Sequence, residues 1–148
     1  MTLESSFTVL LASIVLAGCS PQQPGPLKPA DLRVSRVGVD DDSTSVRQHL
    51  GPPRTVDSTG WHYADLNIWM AHGKVAILSL TGPSLATSRG LRVGDPAARA
   101  SSLYHPCYAD STIVQICYNT DDFDSRAVIA ALKAGAVTRI SIGRIIEP

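Results

Sequence analysis

Among the residues able to do chemistry here are three cysteines and four histidines, and their spacing separates them into distinct roles. Cys19 follows Leu16, Ala17 and Gly18 at the end of the apolar run from Phe7 to Ala17. That run is too short to span a bilayer but has the length of a signal-peptide core, with small residues where a signal peptidase cuts. The pattern is a bacterial lipobox. It predicts cleavage before Cys19, whose thiol then takes up a diacylglycerol while the new N-terminus is acylated, so that more than one lipid chain holds the protein.

Cys107 and Cys117 remain as a pair. In an exported chain, oxidation is the default, and the residues between them make a loop short enough to close into a hairpin. A structural disulfide is expected, stabilising the fold by roughly 2 to 3 kcal/mol on the chain-entropy estimate. The alternative is a redox or metal site, but the pair lacks CxxC spacing and His105 is the one nearby imidazole.

The other polar residues form no catalytic pattern. His49, His62, His72 and His105 are dispersed and build no HExxH motif. The aspartates at 40 to 42 lack the alternating ligands of a calcium loop and read as helix capping and solvation. Gly82, Pro83 and Ser84 do not continue into a nucleophile elbow, and no glycine-rich loop has phosphate-cradling spacing. The expectation is a chain with no catalytic residues, no metal and no cofactor. Thirteen basic residues balance thirteen acidic ones without a basic stripe, which argues against nucleic acid as a partner.

The sequence divides into a signal peptide (1–18), a lipidated cysteine with a proline-rich tether (19–30), and a folded domain (31–148). Prolines 21, 24, 26 and 29 bias the tether toward extended polyproline II. Asp40, Asp41, Asp42 and Ser43 signal a helix start, Val46 and Leu50 share one face, and Gly51 with Pro52 and Pro53 stops the helix. Strand-like runs follow at Trp61 to Tyr63, Leu66 to Met70 and Val75 to Leu80, with a turn at His72, Gly73 and Lys74.

The pattern then begins again. Asp95 is an N-cap candidate with Pro96 at the first helical position, and the helix runs through Tyr104 to a stop at Pro106. Strands are expected at Ile113 to Tyr118 and Val137 to Ile142. The alanine-rich stretch Ser125 to Ala134 favours a short helix, with a strand over Arg126 to Ile129 as the alternative. Aligning Asp41 with Asp95, Val46 with Ala100, Leu50 with Tyr104, Pro52 with Pro106 and Gly73 with Gly135 suggests an internal duplication, about 31–82 and 89–146. The expected class is therefore α+β: two tandem degenerate units of helix plus antiparallel strands, sharing a sheet.

A helix ending in Leu50, Gly51 and Pro52, an aromatic strand through Trp61 and Tyr63, and the turn His72-Gly73-Lys74 into Val75 together resemble the BamE/SmpA-type outer-membrane lipoprotein module. Doubling that module resembles the tandem arrangement of β-lactamase-inhibitor-like proteins. The resemblance covers most of Asp31 to Pro148 and implies helices packed against an antiparallel sheet. With Ser20 after the lipobox cysteine, as in proteobacterial lipoproteins retained at the outer membrane, it implies a periplasm-facing, palmitate-bearing outer-membrane protein. The function expected is non-enzymatic: binding of an envelope protein, with membrane contact through the lipid. The alternative is a structural, self-associating envelope lipoprotein. Trp61, Tyr63, Trp69 and Tyr104 are the candidate partner anchors, because large amphipathic rings dominate interfaces; core packing is their competing role.

Overall fold

The computed structural model describes residues 24–105, 107–111, 114–118 and 126–144. The lipobox with Cys19, and the first part of the tether through residue 23, lie outside the described residues.

After a 3-10 turn at Pro29–Leu32, strands β1 (Arg33–Val34) and β2 (Val37–Gly38) pair as a short ribbon. Helix α1 (Ser43–Leu50) begins where Asp42 Oδ1 accepts the Ser45 amide at 2.7 Å, filling one of the unpaired donors of a first turn. It ends at Gly51, whose φ of 75° suits a residue without Cβ. Four strands follow: β3 (Thr55–Asp57), β4 (Gly60–His62), β5 (Leu66–Ala71) and β6 (Lys74–Leu80). Helix α2 (Ala97–Leu103) precedes β7 (Cys107–Ser111), β8 (Val114–Tyr118), β9 (Arg126–Lys133) and β10 (Ala136–Arg144).

Strands β3 to β10 form one eight-stranded antiparallel sheet in the order β3-β4-β5-β6-β10-β9-β8-β7. Strands β6 and β10 meet at its centre through Leu80 against Ile140 and Leu78 against Ile142. The expected class is thereby corrected. Among the described residues the chain is mostly β, with two helices of 8 and 7 residues, rather than a helix-plus-strand α+β tandem. Two local corrections underlie the change. Arg126–Lys133 is a strand and not a helix, because pairing on both edges, with β10 and β8, outweighs the helical preference of its alanines. Asp95 is not an N-cap: Pro96 occupies that position, and the Asp95 carboxylate instead accepts the Arg92 amide at 2.9 Å and pairs with Arg99.

Backbone bonds recur around both helices. Asp40 N–H donates to Val75 O and Val75 N–H to Asp41 O, each at 2.8 Å; Gly94 N–H donates to Val137 O at 2.7 Å and Val137 N–H to Asp95 O at 2.8 Å. The hairpins that receive these bonds turn at His72-Gly73 and Ala134-Gly135, all four residues having positive φ. Two such residues in succession make the tight turn whose twist matches the strands it joins.

Period-two alternation sorts side chains between the faces. Val56, Trp61, Ile68, Leu78, Ile142, Val128, Cys117 and Cys107 form one register row across all eight strands. Its central members are buried with Val46 and Ala100 of the two helices. Both helices therefore cover this face. The row ends in the Cys107–Cys117 disulfide, which closes β7 onto β8 as expected.

Candidate functional site

The opposite face is built by the intervening residues. One row runs Thr55, His62, Asn67, Ser79, Ser141 and Ile129. The next runs Trp69, Ile77, Gly143 and Ala127. Neither helix lies over it. At about 4.8 Å per strand, eight strands make a sheet roughly 34 Å wide. Trp69 is 41% exposed, and its cross-strand neighbour Ile77 is half-buried. Small residues surround this pair: Gly143 stands opposite Ile77, and Ser79 and Ser141 share a hydrogen bond at 3.2 Å. A large aromatic ring therefore stands exposed beside small, lightly polar residues.

At the β3 edge of the same face the side chains are tied together. His62 Nδ1 lies 2.9 Å from Asn67 Oδ1, and Nε2 lies 3.0 Å from Asp57 Oδ1. The Thr59 hydroxyl donates to Asp57 Oδ1 at 2.6 Å and sits 3.2 Å from His62 Nε2. These bonds favour the charged forms. Thr59 first, then His62, hold the Asp57 carboxyl far below the usual carboxylate range. Asp57 and then Asn67 raise the His62 imidazole above its ordinary value.

The four candidate anchors are distributed over both faces. Trp69 is on the open face. Trp61 is on the helix face, with the Arg47 guanidinium 4.9 Å from its ring centroid. Tyr63 packs against the core, its hydroxyl donating to Gly51 O at 3.1 Å. Tyr104 is wholly buried and donates to Thr87 Oγ1 at 2.6 Å, so it is a core residue that offers a partner no surface. Sequence alone does not separate these aromatics, because the strand register that decides which face each takes is set by pairing. Along β5 the alternation of Ile68 with Trp69 puts the two on opposite faces.

Arg89 and Asp31, which no sequence motif marks, form a second polar cluster. Arg89 donates through Nε to Asp31 Oδ1 at 3.0 Å and through Nη2 to Asp31 Oδ2 at 2.6 Å. The same guanidinium reaches Gly25 O, Pro26 O and Leu103 O at 3.0, 2.9 and 3.1 Å, and lies 5.0 Å from the Tyr104 ring centroid. Burial pushes the Asp31 carboxyl up, but the bonds from Arg89, the Lys28 amide and Ser88 outweigh it and hold the group below its usual range. This cluster fastens the end of the proline-rich segment to the domain. Its donors and acceptors are committed to one another, which makes it a structural clasp rather than a reactive centre.

A cavity of about 380 Å³ lies between the end of α1, the β4–β5 turn and the segment after β6. Leu50, Leu66 and Leu85 line it, with Arg54 and Asp65; Asp65 accepts both the amide and the hydroxyl of Ser84. Among the described residues, no three His, Cys, Asp or Glu side chains converge as metal ligands, and no helix is long and apolar enough to cross a membrane.

No protein-family profile matches the chain, and no curated protein matches it. Among solved structures, the chain is similar to an extracellular protein containing an SCP domain from Bacillus anthracis str. Ames, at 11% identity and a TM-score of 0.48. The likeness covers 72% of this chain and 44% of the other, so the chain spans less than half the length of that protein.

Proposed function

We propose that this chain is a lipid-anchored, non-enzymatic module that faces the periplasm from the outer membrane and binds an envelope protein on the open face of its sheet. The observation that carries the reading is the sheet face that neither helix covers among the described residues, with Trp69 exposed on it and Ile77, Gly143, Ser79 and Ser141 on the neighbouring strands. Lipidation at Cys19 supplies the membrane contact. The Arg89 clasp on Gly25 and Pro26 lies where the tether joins the domain, so it sets the direction from which the tether approaches.

Crosslinking in cells followed by pull-down tests this. A partner is expected with the natural chain, lost in Cys19→Ser and recovered at roughly one-tenth the yield in Trp69→Ala, the effect of about 1.4 kcal/mol at an anchor residue. Recovering nothing above the Cys19→Ser control contradicts the reading. Palmitate labelling that persists in Cys19→Ala overturns the lipid anchor.

One observation favours a second reading, self-association. Among the described residues strand β3 is a sheet edge with no further strand beside it, and Val56 on it is 58% exposed. Sedimentation of the unlipidated domain separates the two, since a stable homo-oligomer supports edge pairing between copies.

A further inference from the structure

We propose that His62 is a proton-operated clasp that fastens the edge hairpin β3–β4 to the rest of the sheet. The ring lies between two acceptors on different strands, Asp57 Oδ1 on β3 at 3.0 Å and Asn67 Oδ1 on β5 at 2.9 Å. Only an imidazolium has an N–H for each. Backbone pairing at this edge is short, three residue pairs between β3 and β4 and two between β4 and β5, so side-chain ties are a large part of what holds it.

Loss of the proton to solvent leaves one ring N–H and one lone pair. The N–H stays with the Asp57 carboxylate, the stronger acceptor. Nδ1 then presents a lone pair to Asn67 Oδ1, two acceptors opposed, and the tie between β4 and β5 is broken until the Asn67 amide turns its NH2 to the ring. In either arrangement the attraction between imidazolium and carboxylate is gone, while Asp57 keeps the amide and hydroxyl of Thr59. The edge hairpin is then held mainly by its backbone bonds. The groups facing the ring are Asp57 from β3, neutral Thr59 from the turn and neutral Asn67 from β5; Asp57 is the one charge among them.

The direction with pH follows from both partners. His62 is raised above 6.5, so its contribution is complete below 6.5 and is lost as pH rises through the raised value. Asp57 is lowered from 3.8, so its contribution is complete above 3.8 and is lost only as pH falls well below that. The clasp is closed between these limits and opens on the alkaline side. Trp69 neighbours this hairpin on the same face, so partner affinity follows the same titration; that consequence rests on the binding reading, whereas the clasp does not.

The test is an NMR titration of the His62 ring in the full folded domain without any partner. The expected midpoint lies above 6.5 and falls toward it in Asp57→Asn and, by less, in Asn67→Leu, which removes the second acceptor. Amide protection over Thr55–Asp57, corrected for intrinsic exchange, is expected to decline through the same midpoint and to lose that dependence in His62→Gln. A His62 midpoint at 6.5 that Asp57→Asn leaves unmoved overturns the proposal, as does β3 protection independent of pH in the natural chain.

Discussion

The hairpins β3–β4 and β7–β8 close the two ends of one sheet, and one register row joins them, from Val56 and Trp61 at one end to Cys117 and Cys107 at the other. At the second end the row terminates in a covalent bond. At the first it terminates in an exposed valine and a tryptophan under Arg47, and the fastening has moved to the other face as the His62, Asp57, Thr59 and Asn67 cluster. Edge strands have a free side and need extra holding. The difference shows that one need can be met by a permanent tie or by one that depends on a proton, and the reversible tie stands beside the exposed Trp69.

Three changes break or sharpen this comparison. The largest effect belongs to the centre of the row that both ends share. Ile142→Ala, at a fully buried site between Leu78 and Val128, is expected to cost about 3 kcal/mol in urea unfolding and to loosen both hairpins together. Removing the disulfide with Cys107→Ser and Cys117→Ser is next, at about 2 to 3 kcal/mol, with the increase in amide exchange confined to β7 and β8. Smaller again is Tyr104→Phe, which keeps the ring under Arg89 but removes the bond to Thr87; about 1 kcal/mol is expected from thermal unfolding, with the β3–β4 end unaffected.

How much of this was readable beforehand depends on the range of the forces involved. Local signals were plain: the α1 start at Asp42 and Ser43, its stop at Gly51, the His72-Gly73 turn and the Cys107–Cys117 pair all depend on residues near one another in sequence. The alanines of Arg126–Lys133 favour a helix locally, with a strand over Arg126–Ile129 as the alternative, and the β8 and β10 pairing that decides for the strand is tertiary. Strand β3 carries no alternation of burial, all three residues being exposed, so it left no periodic trace. The candidate face was half legible. Trp69 was singled out by its type, but its separation from Trp61 and Tyr104 required the register, and the Arg89 and Asp31 clasp joins residues 58 positions apart with no motif to announce them.

Hydrogen exchange measured at both ends of the sheet in one sample tests the central contrast most directly. Protection of β3–β4 is expected to fall as pH rises through the His62 midpoint above 6.5 while β7–β8 stays unchanged, and added reductant is expected to lower protection at β7–β8 alone. Two ends that respond alike to pH, or a β3–β4 end that yields to reductant, would contradict the account.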